Sequence, residues 1–112
     1  MGIKRNRQVA DLIQREVASV IKTTVADPRL AEVNITTVDL SPDLGNARVY
    51  YILPQSVERE SVSKALKKAL GFIRHQVSLR TALRYTPQIQ FRYDDSIDHA
   101  RHLLHLMEKF EA

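Results

Sequence analysis

The sequence predicts an α+β domain in which helices cover one face of a three-stranded sheet. Two observations predict this fold class. In long segments, apolar residues recur every three or four positions, as on one face of a helix, and in short β-branched segments they alternate. The predicted order is helix, strand, strand, helix-kink-helix, strand, helix. Helices on one side would bury the alternating apolar residues and leave the opposite sheet face in water.

Length and composition limit the class of protein. The 112 residues fit a single domain, 1–112, with one hydrophobic core. The sequence has no cysteine, which excludes disulfides, thiol nucleophiles and thiolate metal sites. No apolar run approaches the roughly 18 residues of a membrane span, and no secretory signal follows the N-terminus. We therefore expect a soluble, cytoplasmic protein without a membrane partner.

The first half of the chain predicts a helix followed by a hairpin. The helical period covers residues 6–25, with Asn6 as the N-cap and Asp27-Pro28 as the stop. Residues 33–40 and 47–53 predict two strands, and the short turn cluster between them makes the pair antiparallel.

The second half predicts three further elements. Ser56 is the expected N-cap of the central helical segment. Residues 88–93 alternate strictly and predict a strand, with Ile89, Phe91 and Tyr93 on its buried face. A last helix is predicted over 96–112, where Asp94 and Asp95 supply negative charge at the helix start rather than acid–base chemistry.

A kink is predicted in the central helical segment. In one straight helix, Arg80 and Arg84 would point from the middle of the apolar stripe, and burying an unpaired charge costs several kcal/mol. A break near Gly71 avoids this cost, because Phe72, Leu79 and Leu83 can then form a new stripe. Glycine inside a helix is also unfavourable by about 1 kcal/mol relative to alanine. The alternative is an unbroken surface helix with a solvated lysine-rich face and an incidental glycine.

The distribution of charge suggests a polyanionic partner. The formal net charge is +4, but residues 58–93 carry +6 while residues 94–112 carry −3. The candidate phosphate-binding cations lie in two segments. They are Lys4, Arg5 and Arg7 near the N-terminus, and Lys64, Lys67, Lys68, Arg74, Arg80 and Arg84 around the kink. Such contacts provide affinity and register rather than base reading.

The sequence gives little support for a metal site or an enzyme active site. His99, His102 and His105 do not share one helix face, so a site formed with Asp95 is a weak metal candidate, and we expect no metal and no cofactor. Motifs of the GxSxG, P-loop and HExxH types are absent, and nothing else indicates an enzyme.

Several segments, taken in order, resemble the ribosome-binding factor A family over essentially the whole chain. The matching segments are Arg7 through Glu16, Asp27-Pro28-Arg29-Leu30, Val38 through Leu44, Ala47-Arg48-Val49-Tyr50, Ala69 through Arg74, and Leu83 through Asp94.

The resemblance implies a type II KH-like fold and a function. In this family an Ala-x-Gly kink, here Ala69-Leu70-Gly71, takes the place of the GxxG loop with which KH modules clamp nucleic acid. It also implies a monomeric factor for late rRNA processing and folding in the small (30S) ribosomal subunit. Such a factor would bind 16S rRNA through the cations named above together with Gly71.

Two other functions remain open at the level of sequence. The chain could be a generic KH-type module that binds single-stranded RNA, although its three glycines cannot form a GxxG loop. It could also be a protein–protein adaptor that binds through its acidic last helix.

Overall fold

The computed structural model describes residues 2–96 and 104–108, and their fold confirms the predicted α+β class. The elements in chain order are α1 (Gly2–Thr23), β1 (Asn34–Leu40), β2 (Asn46–Ile52), α2 (Arg59–Arg80) and β3 (Gln88–Tyr93), with a short 3₁₀ turn at Pro28–Leu30 between α1 and β1. Within the predicted C-terminal helix, residues 104–108 are helical, and the rest of that prediction lies outside the described residues.

The sheet has the strand order β1-β2-β3. β1 and β2 pair in antiparallel fashion, from Asn34 opposite Ile52 to Leu40 opposite Ala47, which confirms the predicted hairpin. β3 pairs parallel with β2 on its other side. Parallel neighbours cannot be joined by a tight turn, so α2 provides the long connection from β2 to β3.

The hydrophobic core lies between the two long helices and one face of the sheet. Its largest fully buried side chains come from α1, α2, β2 and the 3₁₀ turn, and they include Ile13, Val17, Leu30, Val49, Leu66, Ile73 and Val77. The predicted alternation of β3 is confirmed, because Ile89 is buried and Phe91 and Tyr93 pack against this core. Gln88, Gln90 and Arg92 are exposed on the other face.

The predicted N-caps of α1 and α2 are wrong. α1 already begins at Gly2, so Asn6 lies inside the helix, where its side-chain amide donates to the carbonyls of Leu40 (3.1 Å) and Ser41 (3.2 Å). It therefore anchors α1 to the end of β1. At the start of α2 the N-cap position is Glu58, without a side-chain capping bond, and Ser56 lies in the preceding turn.

The predicted break of the helix near Gly71 is also wrong. α2 continues without interruption from Arg59 to Arg80 across Ala69, Leu70 and Gly71, and the break comes at Thr81, whose backbone is extended (φ −118°, ψ 153°). The buried side chains of α2 on both sides of Gly71 pack into the same core, and this packing outweighs the small intrinsic cost of glycine.

The second apolar stripe expected beyond the kink does not form. Phe72 is 44% exposed and Leu79 is 66% exposed, and only Leu83 packs against the core. The charge conflict is instead resolved by ending the helix, since residues 81–87 are not helical and Arg84 is exposed there.

Asp94 ties the two edge strands together at one end of the sheet. Its carboxylate accepts hydrogen bonds from the Thr36 hydroxyl of β1 (2.7 Å) and from the backbone N–H of Ser96 (3.0 Å), while its own N–H donates to the Tyr51 carbonyl (2.8 Å). The hydrogen bonds from Ser96, followed by that from Thr36, lower the pKa of Asp94. The sequence predicts Ser96 as the N-cap of the last helix, but Ser96 donates its hydrogen bonds and the Asp94 carboxylate accepts them.

Replacing Gly71 with alanine tests the continuity of α2. A Cβ atom at this position meets no heavy atom within 4 Å, and the backbone is not in the left-handed region. We expect Gly71→Ala to raise the free energy of unfolding by up to about 1 kcal/mol, measured by urea denaturation. Gly45→Ala is the control, because its Cβ would lie 3.3 Å from both Asp43 carboxylate oxygens and should give no such gain. A destabilised Gly71→Ala variant would contradict an unbroken helix.

Asp94→Asn should change how stability depends on pH. Because the folded state lowers the pKa of Asp94, its carboxylate stabilises the fold above the unfolded-state pKa, near 3.9, and this contribution is lost as pH falls through the folded-state value. We expect the variant to have a lower melting temperature than the parent at pH 7. The difference between the two melting temperatures should narrow toward pH 3. If this difference in melting temperature stays constant or widens on acidification, the charge of Asp94 does not contribute to the stability of the fold.

Candidate nucleic-acid interface

Three lysines and a glycine form one exposed surface on the outer side of α2. Lys64, Lys67, Lys68 and Gly71 lie at positions i, i+3, i+4 and i+7, which share one side of a helix. All four are exposed. We call this surface the lysine face. It exists because the opposite side of α2, with Leu66, Ile73 and Val77, is held in the core.

Two of the three lysines are not neutralised by a near carboxylate. Lys64 forms an i,i+4 ion pair with Glu60 at 3.6 Å. Lys67 and Lys68 have no carboxylate within 4 Å in the described part of the chain. Lys68 does influence Asp27, whose pKa is lowered mainly by the hydrogen bond from Arg29 and least by the charge of Lys68.

Gly71 leaves a gap in this surface. Open space surrounds the position where its Cβ would lie, so a phosphate or sugar can approach the backbone of α2 more closely than at any residue with a side chain. Lys67 and Lys68 are within one turn of it. The predicted role of Gly71 as a contact point is compatible with this geometry, although its predicted role as a breaking point is wrong.

Arg74 is bound within the fold. Its guanidinium donates to the carbonyls of Pro87 (3.0 Å, from Nε) and Thr86 (2.6 Å, from Nη2), and it is half-buried. Buried carbonyls in an irregular segment need donors, and Arg74 supplies them just before β3 begins. Arg74 thus positions the segment 81–87, and its side chain is not freely available for phosphate.

Arg80 is similarly engaged, but by α1. From the last turn of α2 it donates to the hydroxyls of Ser19 (3.1 Å) and Thr24 (2.6 Å). A cation in the last turn also favours the helix C-terminus. The continuous helix therefore keeps Arg80 exposed and bonded to α1, whereas the helical period predicts that an unbroken helix would bury its charge.

Arg84 and its neighbour Tyr85 form a separate exposed pair. The Arg84 guanidinium lies 5.5 Å from the centroid of the Tyr85 ring, and Tyr85 is 78% exposed. The helical period predicts that this segment belongs to the helix that ends at Thr86-Pro87, and it gives Tyr85 no role. The helix ends earlier, and the irregular backbone of residues 81–87 leaves Tyr85 exposed.

The N-terminal cations do not join the lysine face. Lys4, Arg5 and Arg7 are exposed in the first turns of α1. Lys68 of the lysine face lines one pocket with Thr24 and Asp27, which follow the opposite end of α1. That end, at Thr23, is about 24–29 Å from residues 4–7 along the helix axis. The fold thus divides the predicted set into the lysine face, two internal ties, one exposed pair and a separate basic patch.

The described part of the chain contains no candidate metal site. Within residues 2–96 and 104–108, no three His, Cys, Asp or Glu side chains could hold a metal ion together. His99 and His102 lie outside those residues. The described helices include none long and apolar enough to cross a membrane.

Substituting Arg74 should reduce stability, unlike a phosphate contact on the surface. Arg74→Ala leaves two carbonyls without their charged donor, and we expect a loss of about 1.5–3 kcal/mol in the free energy of unfolding. Arg84→Ala is the control and should stay within about 0.5 kcal/mol, because its side chain is exposed. Equal stability of the two variants in urea denaturation would show that Arg74 does not position residues 81–87.

Comparison with known sequences identifies a family over nearly the full length. Residues 5–107 match the sequence model of ribosome-binding factor A. Ribosome-binding factor A from Coxiella burnetii (strain CbuG_Q212) is 42% identical over 106 residues, which cover 95% of this chain and 89% of the relative. The protein of the same name from Desulfitobacterium hafniense (strain DSM 10664 / DCB-2) is 37% identical over 108 residues, covering 96% and 86%.

Solved structures agree with this assignment. The crystal structure of ribosome-binding factor A from Thermus thermophilus superposes with a TM-score of 0.71 at 25% identity, covering 79% of this chain and 94% of that one. A Thermus thermophilus homology model fitted into the cryo-EM map of a complex between 30S and this factor has a TM-score of 0.64 at 26% identity, covering 77% and 91%. By sequence over 95% of its length and by fold, this chain belongs to the ribosome-binding factor A family.

Proposed function

We propose that this chain is a non-enzymatic, monomeric maturation factor that binds the small ribosomal subunit in the cytoplasm through 16S rRNA. The observation that carries the proposal is the lysine face, where two lysines without carboxylate partners in the described residues lie within one turn of an exposed glycine. The Thermus thermophilus relative, described in a complex with 30S, supports the choice of partner.

The chemistry of the lysine face suits a folded RNA backbone. Lysine ammonium groups act as point charges for phosphate and release counterions on binding. Because these lysines lie on a rigid helix fixed by the core, they contact phosphates at set spacings and favour one backbone geometry rather than one base sequence. The mechanism needs no break between two helices, since α2 is continuous.

The factor would act by differential affinity. A protein that binds one rRNA arrangement more tightly than its alternatives shifts the population toward that arrangement, and it leaves when further maturation removes the preferred site. This mechanism needs no cofactor and no chemical step. It requires only that the lysine face fits the maturing conformation better than the finished one.

Charge reversal on the lysine face tests the proposal. Lys67→Glu/Lys68→Glu should abolish co-sedimentation with small subunits, while its melting temperature stays close to that of the parent because both side chains are exposed. If both lysines contact phosphate, the milder Lys67→Ala/Lys68→Ala variant should lower the log–log salt slope of binding by about 1.4–1.8.

The matched control is Arg15→Glu/Lys22→Glu, which makes the same change in net charge at two exposed positions of α1. It should retain subunit binding. Unchanged co-sedimentation of the lysine-face variant, or equal losses in both variants, would contradict the proposal. Binding that is insensitive to salt would instead favour an adaptor that binds protein, for which the exposed Leu104 and Met107 are available.

A further inference from the structure

The face of the sheet opposite the helices forms a second uncovered surface. The inward strand residues and both long helices share one core, and residues 104–108 are exposed at all five positions. None of these described elements therefore covers the outward strand residues. We call this surface the open sheet face. It consists of Asn34, Thr37, Asp39, Asn46, Arg48, Tyr50, Ile52, Gln88, Gln90 and Arg92, all of them exposed except the half-buried Tyr50 and Ile52.

Strand register arranges the open sheet face in rows across the three strands. One row places Tyr50 between Thr37 and Arg92. The next row places Arg48 between Asp39 and Gln90. Adjacent strands are about 4.8 Å apart, so the half-buried Tyr50 lies at the centre of the surface with a guanidinium beside it.

The charges on this surface are few and mostly paired. Arg48 forms an ion pair with Asp39 at 2.5 Å. Arg92 is exposed and contacts only the side chain of Gln90, at 3.4 Å, with no carboxylate partner in the described part of the chain. One unneutralised cation cannot hold a duplex backbone, which needs several phosphate contacts. The Arg92 guanidinium can, however, bind one phosphate beside a stacked base.

The composition of the surface also argues against a protein partner. The large apolar side chains that are exposed in the described residues are Phe72, Leu79, Tyr85, Leu104, Leu106 and Met107, and none of them lies on the open sheet face. The aliphatic side chain on that face is Ile52, which is half-buried and lies at the end of β2. Protein interfaces usually bury an apolar or aromatic core. In contrast, one accessible aromatic ring among amide side chains and arginines on a sheet is a surface on which unpaired RNA bases stack and form hydrogen bonds.

We infer that the open sheet face is a second RNA contact, where one unpaired base stacks on Tyr50 and an adjoining phosphate meets Arg92. The amide of Gln90 lies in the neighbouring row and can pair with the edge of that base. The amides of Asn46 and Gln88 lie one row further along the sheet, where they can meet a following nucleotide. The inference shares its partner class, RNA, with the proposed function. It concerns a different face of the molecule and a different mode of recognition, single-stranded rather than folded.

Titration of the full chain with a short RNA tests the inference. The probe is an unstructured oligoadenylate of about six nucleotides, within the size range of single-stranded binding modules, added to ¹⁵N-labelled protein. We expect amide shifts concentrated in residues 46–52 and 88–93. Tyr50→Ala should weaken binding by about 5- to 100-fold, and Tyr50→Phe, which keeps the ring, should bind as the parent does.

Two further variants separate this inference from the proposed function. Arg92→Gln should weaken binding of the oligonucleotide and provides an exposed alternative if Tyr50→Ala does not fold. Lys67→Glu/Lys68→Glu should lose small subunits yet still show oligonucleotide shifts in the sheet. Absence of shifts in the parent, shifts confined to α2, or unchanged binding by Arg92→Gln would overturn the inference, whatever the outcome of subunit co-sedimentation.

Discussion

The packing of α2 against one face of the sheet is the constraint on which both surfaces depend. Leu66, Ile73 and Val77 are almost completely removed from solvent, and burying each such side chain stabilises the fold by about 1.5–3 kcal/mol. The intrinsic penalty for glycine in the helix is only about 1 kcal/mol. Packing therefore keeps α2 helical through Gly71, and a continuous α2 places three lysines and an exposed glycine on one outer face.

Because α2 ends at Arg80, Arg74 and Arg80 have a different role from Arg84, which follows the helix. The chain must cross from the helix layer to the edge of the sheet within residues 81–87, where no regular hydrogen-bond pattern is available. Arg74 reaches that segment with a planar, multiply donating guanidinium, which suits two carbonyls better than a lysine would. The arginines near the end of α2 thus hold the fold together, whereas the lysines remain at the surface.

The helix layer and the sheet layer expose different kinds of side chains, because a helix and a strand bury different fractions of their residues. A helix that buries one stripe leaves a broad side for long cations, and on α2 these are lysines. A strand exposes alternate residues only, and a three-stranded sheet offers a flat surface with one residue per strand in each row, so Tyr50 lies between Thr37 and Arg92. Phosphate contacts on one layer and base stacking on the other would combine positioning with local reading of RNA.

Periodicity in the sequence determined the fold class, the hairpin and the whole of β3, because each of these depends on local alternation and turn residues. It also located the lysines of α2 on one face, since spacing alone fixes positions on a helix. Tertiary structure decided where α2 ends, that Asn6 anchors a strand instead of capping a helix, and that Arg74 and Arg80 bind within the fold. Those outcomes depend on contacts between residues 12 to 61 positions apart, whose energies no local pattern contains. A charged residue in a sequence shows that a cation is present, but only the folded neighbourhood determines whether that cation remains available to a partner.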